Sequence, residues 1–178
     1  MAPTADGHSA HDLAVQLIGE LTRRRMTIAV AESLTGGLVV AELVSVPGAS
    51  AVVRGGVVAY ATELKSTLLG VDAELLADKS PIDPEVARQM AEGVRWRLGH
   101  DGMPADIGLA TTGVAGPDQQ DGHPVGEVWL GVAIGDLVEA HGLTIGGDRA
   151  SIRTATVSES LMYVLERLRS VPGGRHQE

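Results

Sequence analysis

Three short segments of the sequence combine hydroxyl side chains with glycines or a lysine, and the first of them offers a nucleophile. Ser33 and Thr35 stand just before the pair Gly36-Gly37, directly after an apolar run rich in β-branched residues. A serine there could attack a carbonyl carbon, and N–H groups at the start of a helix could hold the resulting oxyanion. Thr35, Gly36 and Gly37 are candidate substrate contacts, because glycines let the backbone approach a ligand and free N–H groups attract negative charge. Spacing alone leaves open a plainer interpretation, in which Ser33 or Thr35 only caps a helix and the glycines form a turn.

A nucleophilic serine needs a base, and Lys65 is the candidate that remains after the histidines are considered. The chain has no cysteine. Lys65 lies at the start of a predicted helix, shortly after Tyr60 at the end of a predicted strand. Burial or nearby positive charge would have to lower the lysine pKa towards neutrality. The alternative is a solvated surface lysine, with Tyr60 an ordinary strand aromatic. The histidines lie in or near the tails, in a polar loop, after a helix end or within a predicted strand, at His8, His11, His100, His123, His141 and His176.

The remaining segment with hydroxyls and glycines follows another predicted strand and is suited to binding a ligand. Thr112, Gly113 and Gly116 combine a hydroxyl with backbone amides that a phosphate or a ribose can approach closely. A simple turn at the end of the strand is the alternative interpretation.

Two arginines near the start of the last predicted helix are candidates for an anion site. Asp148 is a natural N-cap, which places Arg149 in the first turn, where a cation opposes the helix dipole. An anionic ligand would remove that penalty, and the guanidinium fork fits a phosphate. Arg153, one turn later, is a weaker candidate whose alternative is a surface salt bridge.

The elements that position these segments alternate along the chain, which predicts an α/β fold. We expect a single three-layer αβα domain over residues 10–170 with a mixed sheet of about five strands, flanked by flexible tails at 1–9 and 171–178. The predicted helices cover 12–25, 38–46, 62–69, 72–78, 84–98 and 149–168, and the predicted strands 26–31, 52–61, 106–111, 127–134 and 138–145.

The charge balance restricts the class of partner. There are 14 Lys and Arg against 23 Asp and Glu, a formal net charge of −9, so a general nucleic-acid binder is not expected. No apolar stretch is long enough for a membrane span and no secretory signal is visible, so we expect a cytoplasmic protein. The polar segment 118–123 is predicted to be a mobile lid.

Taken in order along the chain, these segments resemble the CinA carboxy-terminal domain family, over roughly residues 12–168. The resemblance implies hydrolysis of nicotinamide mononucleotide to nicotinic acid mononucleotide and ammonia, without metal or cofactor, by a homodimer. It also implies that Ser33 is the nucleophile, Lys65 its base and Tyr60 a supporting group, with Thr112 and Arg149 at the ligand. A nucleotide-binding regulatory module without turnover is the alternative, and a purely structural interaction protein comes third. The motifs that carry the resemblance are Glu32-Ser33-Leu34-Thr35-Gly36-Gly37, Pro47-Gly48-Ala49-Ser50, Gly55-Gly56-Val57-Val58-Ala59-Tyr60 with Lys65, Thr112-Gly113-Val114-Ala115-Gly116-Pro117, Pro124-Val125-Gly126 and Gly147-Asp148-Arg149.

Overall fold

The computed structural model describes residues 9–171, so all but Ser9 and Val171 of the tails predicted at 1–9 and 171–178 lies outside the described residues. Ser9, which the sequence assigns to the first tail, is the N-cap of the first helix. Its hydroxyl accepts from Asp12 N at 3.1 Å, and the Asp12 carboxylate accepts from Ser9 N at the same distance. The elements in chain order are α1 Ala10–Arg24, β1 Ile28–Glu32, α2 Leu38–Val44, β2 Val53–Val58, α3 Thr62–Leu69, α4 Ala73–Lys79, α5 Pro84–Arg97, β3 Ile107–Gly113, β4 Glu127–Ile134, β5 Leu137–Thr144 and α6 Arg149–Ser170.

The five strands form one mixed sheet in the order β2-β1-β3-β4-β5. Strand β1 is parallel to both of its neighbours, whereas β4 runs antiparallel to β3 and β5. All five residues of β1 are buried, as its unbroken apolar run predicts for a central parallel strand. The antiparallel pair follows from the short turn at Gly135-Asp136, which cannot accommodate a crossover. The predicted α/β class and mixed sheet are confirmed.

Helices cover both faces of the sheet. Successive residues of β1 point to opposite faces, so Ile28 and Val30 pack with α1, α2 and α6, while Ala29 and Ala31 pack towards α5. Helix α5 lies very close to the sheet because two strand glycines make room for it. A Cβ at Gly108 would come within 1.9 Å of Ala91 O, and one at Gly131 within 2.0 Å of Ala87 O.

The element boundaries differ from the sequence-based prediction at one place that matters for the site. Strand β2 ends at Val58, so Tyr60 lies in the connection to α3 and does not end the strand. Its side chain is 57% exposed. None of the helices within residues 9–171 combines the length and apolar character that crossing a membrane requires.

Candidate active site

The functional residues predicted from the sequence meet at one edge of the sheet, around a cavity of about 290 Å³. Ser33 follows β1, and Thr112 and Gly113 end β3, so the cavity lies at the carboxyl ends of two parallel strands. Of the predicted site residues, the wall includes Ser33, Tyr60, Lys65, Thr112, Gly113, Gly116 and Arg149. Thr35, Gly36, Gly37 and Arg153 are not part of the wall.

Ser33 and Lys65 are in direct contact. Lys65 Nζ lies 3.1 Å from Ser33 Oγ and donates to Ala59 O at 2.9 Å. Lys65 is only 1% exposed and Ser33 8% exposed, so the alternative of a solvated surface lysine is wrong. Helix α3 directs Lys65 inward because the residue sits on the buried side of this short helix, together with Leu69 at i+4.

The environment of the lysine favours its neutral form. Burial lowers the pKa of Lys65 from its usual 10.5 to about 8, and the negative charge of Glu63 opposes this shift. Among residues 9–171, no carboxylate lies within ion-pair distance of the amine. A neutral amine held by Ala59 O presents its lone pair to the serine hydroxyl, which is the arrangement that a general base needs.

The turn after β1 is largely occupied by contacts within the protein. Glu32 is fully buried, and its carboxylate accepts from Gly37 N at 2.8 Å, Val40 N at 2.9 Å and Val39 N at 3.2 Å. This carboxylate therefore occupies the amino terminus of α2, where free N–H groups for a ligand are predicted from the sequence. That prediction is wrong for Gly37. From the sequence, no role is assigned to Glu32, although an acidic residue five positions before a glycine N-cap is a usable signal.

The other polar groups of this turn are also engaged. The Thr35 hydroxyl bonds Thr111 Oγ1 at 2.8 Å, and Gly36 N donates to Ser33 O at 3.1 Å. Arg153 donates to Leu34 O and Thr35 O, both at 2.9 Å. Thr35, Gly36 and Arg153 are thus placed to shape the turn, in contrast to the ligand contacts predicted for them.

Of the turn residues that follow Ser33, Leu34 lines the cavity and has an amide left for an oxyanion. Leu34 lines the cavity, and its N–H forms no hydrogen bond with any other residue in the range 9–171. It belongs to the residue directly after the candidate nucleophile, which is where hydrolases with a serine at a strand-to-helix turn carry an oxyanion donor.

The turn after β3 opens towards the cavity. Thr112 is 1% exposed, and its hydroxyl donates to Pro81 O at 2.6 Å, which leaves its oxygen able to accept. Gly113 is a glycine because a Cβ there would come within 2.4 Å of Glu127 O on β4. Gly116 has φ +82°, and a Cβ there would lie 2.8 Å from a methyl group of Val125. Packing therefore accounts for both glycines, while both remain on the cavity wall.

Arg149 spans the mouth of the cavity. Its guanidinium donates to Gly116 O at 2.6 Å through Nη1 and to the Tyr60 hydroxyl at 2.7 Å through Nη2. Asp148 caps α6 by accepting from Ser151 N at 2.8 Å, so the predicted helix start is confirmed. Tyr60 is consequently at the rim beside the arginine, and its closest hydrogen-bonding partner is Arg149.

The polar segment 118–123 forms a short antiparallel turn over the same cavity. Gln120 and His123 exchange two backbone hydrogen bonds, and Asp118 and Gln120 line the wall. The predicted mobility of this segment stays a prediction. In the part of the chain that the structure describes, no group of three or more His, Asp and Glu side chains is arranged to hold a metal ion.

Comparison with known proteins places nearly all of the described range in one family. The model of the CinA C-terminal domain matches residues 10–168. A CinA-like protein of Frankia casuarinae is 47% identical over 156 residues, covering 88% of this chain and 35% of that protein. A CinA-like protein of Gemmatimonas aurantiaca is 42% identical over 164 residues, covering 92% of this chain and 36% of that protein. The chain thus spans about a third of the length of these relatives.

Solved structures agree with this assignment. The competence damage-inducible protein A of Klebsiella pneumoniae superposes with a TM-score of 0.87 at 30% identity, covering 93% of this chain and 100% of that chain. A competence/damage inducible protein of Agrobacterium tumefaciens gives a TM-score of 0.82 at 32% identity, covering 93% of this chain and 98% of that chain.

Proposed function

The chain belongs to the CinA C-terminal domain family, and we propose that it hydrolyses the carboxamide of nicotinamide mononucleotide to give nicotinic acid mononucleotide and ammonia. The observation that carries this proposal is the buried contact of 3.1 Å between Lys65 Nζ and Ser33 Oγ. The substrate follows from the family resemblance of the motifs, and the site chemistry is compatible with it.

The reaction needs one nucleophile and one base. Neutral Lys65 takes the proton of Ser33 as Oγ attacks the carboxamide carbon, and the oxyanion of the tetrahedral intermediate is held by Leu34 N–H. The C–N bond then breaks as Lys65 returns the proton to the departing nitrogen, which leaves as ammonia. Water, deprotonated by Lys65, hydrolyses the acyl-Ser33 ester and releases the carboxylate product.

The rest of the nucleotide fits the remaining groups of the cavity. A volume of about 290 Å³ is at the lower end of the range for small-molecule sites, ~300–1,000 Å³. Arg149 provides a fork for the phosphate, since its present partners, Gly116 O and the Tyr60 hydroxyl, are neutral groups that an anion would replace favourably. The Thr112 hydroxyl and the N–H groups of Ala115 and Gly116 provide contacts for the ribose.

Ammonia release from nicotinamide mononucleotide, measured in the presence of a chelator, tests the proposal. We expect turnover by the wild-type chain and a loss of at least 1,000-fold in both Ser33→Ala and Lys65→Met. Lys79→Met is the matched control, because it removes the other lysine of the chain, which is exposed, and should keep wild-type activity.

Three results would contradict this mechanism. Turnover by Ser33→Ala equal to wild type would rule out the serine, and loss of activity with chelator would indicate a metal. Saturable binding of the nucleotide by the wild type without product would favour a regulatory nucleotide-binding module instead.

We propose in addition that the chain acts as a homodimer. Large apolar side chains are exposed on α1 and α2, among them Val15, Leu38 and Val44. Sedimentation equilibrium should give twice the 18.4 kDa mass of the chain, and a monomer at all concentrations would refute the proposal. The cytoplasmic location expected from the sequence stays a prediction.

A further inference from the structure

A second serine of this chain lies in a hydrogen-bonded relay that the proposed deamidation does not use. Ser80 Oγ is 3.1 Å from His123 Nε2, and His123 Nδ1 is 3.0 Å from Glu127 Oε2. Ser80 follows α4, His123 lies in the turn over the cavity, and Glu127 begins β4. Ser80 contacts His123 as a nucleophile contacts its base, and His123 contacts Glu127 as a base contacts the carboxylate that orients it.

The hydrogen bonds around His123 define which nitrogen carries the proton. A carboxylate can only accept, so Nδ1 donates to Glu127, and in the neutral imidazole Nε2 then presents its lone pair to Ser80. The second oxygen of Glu127 accepts from Trp129 Nε1 at 3.2 Å, which holds the carboxylate in place. Ser80 Oγ accepts from Ile82 N at 3.1 Å, which leaves the hydroxyl proton directed at His123.

The backbone of Ser80 is an independent sign of a special position. It has φ +76° and ψ 165°, a conformation almost restricted to glycine. A residue with a Cβ keeps this backbone conformation only when the surrounding structure enforces the conformation. Residues of this kind are concentrated at functional sites.

Ser80 also lines a cavity of its own, of about 440 Å³. This second cavity shares only Thr62 and Pro81 with the cavity of Ser33 and Lys65. The wall carries two carboxylates, Asp78 and Asp121, and one ammonium group, Lys79, so its net charge is negative and disfavours anionic ligands. The space therefore suits a small neutral or cationic molecule.

We propose that Ser80, His123 and Glu127 form a second nucleophilic centre, which hydrolyses short acyl esters whose alcohol part is neutral or cationic. His123 Nε2 takes the Ser80 proton while Oγ bonds to the acyl carbon. The ester C–O bond breaks, and the alcohol leaves with the proton returned by His123. Water, deprotonated by His123, then cleaves the acyl-Ser80 ester and restores the free serine.

A neutral alkyl fluorophosphonate, which phosphorylates activated serines, tests the proposal when the modified peptide is mapped by mass spectrometry. The Ser33→Ala variant is used so that the first site cannot react. We expect modification at Ser80, abolished in Ser33→Ala/Ser80→Gly and slowed at least tenfold in Ser33→Ala/His123→Gln. Ser80→Gly is compatible with the left-handed backbone, so loss of labelling there does not arise from misfolding.

The activity is then measured with a short aryl acetate on the same variants. Ester hydrolysis that persists in Ser33→Ala and falls at least tenfold on Ser80→Gly supports the second centre. An unmodified Ser80 in Ser33→Ala, or labelling at a rate unchanged by His123→Gln, would overturn the proposal. The Ser33–Lys65 mechanism is unaffected by either result, because ammonia release is assayed separately.

Discussion

The segment Ser33 to Gly37 after β1 and the segment Thr112 to Gly116 at the end of β3 are similar in sequence, each with a threonine and two glycines, yet they take opposite roles. In the turn after β1, the side chains of Glu32 and Arg153 bind backbone groups that follow Ser33. The residues from Thr112 to Gly116 all line the cavity. Val114 exchanges backbone hydrogen bonds with Gly126 N and Glu127 O, and Arg149 donates to Gly116 O, but the N–H groups of Ala115 and Gly116 bond no other residue in the range 9–171.

The difference shows that a glycine turn at the end of a strand does not by itself provide free N–H groups. A buried carboxylate nearby takes those groups first, because an unsatisfied buried amide is costly. The first turn is thereby rigid and suited to aligning a nucleophile, whereas the second remains available to a ligand.

Removing the internal carboxylate should have the largest effect. Glu32→Ala leaves the N–H groups of Gly37, Val39 and Val40 without their acceptor, at roughly 1–3 kcal/mol each, so the free energy of unfolding should fall by about 3 kcal/mol or more. Urea denaturation measures this change. Glu42→Ala, which removes a partly exposed carboxylate of α2 paired with His11, should cost less than about 1 kcal/mol. A Glu32→Ala variant as stable as the control would contradict the internal role of the carboxylate.

The pH dependence of turnover should originate at Lys65 of α3, the partner of Ser33. Lys65 is an active base only when neutral, so kcat/KM should rise about tenfold per pH unit as the pH increases towards the lysine pKa of about 8, and then level off. The profile is measured by ammonia release between pH 5.5 and 9.5. Arg149→Lys, which alters a part of the cavity wall that does not contact Lys65, should leave the midpoint of the pH profile unchanged. A profile that is flat through this range would show that Lys65 is not the base.

Affinity for the substrate phosphate should depend on Arg149, which contacts the segment Thr112 to Gly116. Arg149→Met removes a charge-assisted bond of roughly 1.5–3 kcal/mol, so KM for nicotinamide mononucleotide should rise about 10- to 100-fold. The matched substrate is nicotinamide riboside, which lacks the phosphate and for which the variant should change kcat/KM by less than about threefold. Equal losses on both substrates would mean that Arg149 does not bind the phosphate.

The smallest effect is expected at Arg153, one helical turn from Arg149. Arg153→Met releases Leu34 O and Thr35 O and loosens the first turn, so kcat should fall about tenfold, equivalent to ~1.4 kcal/mol, with KM unchanged. Arg167→Met, further along α6 and paired with Glu139, is the control and should leave both constants unchanged. A rise in KM with kcat intact would instead make Arg153 a ligand contact, as the sequence alone predicts.

The sequence by itself determined the order of helices and strands, the mixed sheet and seven of the residues that line the cavity. The elements depend on local patterns: apolar periodicity, the Asp148 cap and the short turn between β4 and β5. Ser33, Lys65, Thr112 and Arg149 were grouped through the resemblance of their motifs to one family, and the fold brings all four to one edge of the sheet.

The tertiary structure alone decided which of these groups are buried and which partners they take. Lys65 meets Ser33 across 32 positions and Arg153 meets Leu34 across 119, and no local pattern encodes either contact. The binding of the first amides of α2 by the Glu32 carboxylate was likewise not predicted, and neither was the contact of His123 with Ser80 and Glu127. Burial and hydrogen-bond partners depend on how distant segments pack, and packing sets the pKa of Lys65 on which the proposed chemistry rests.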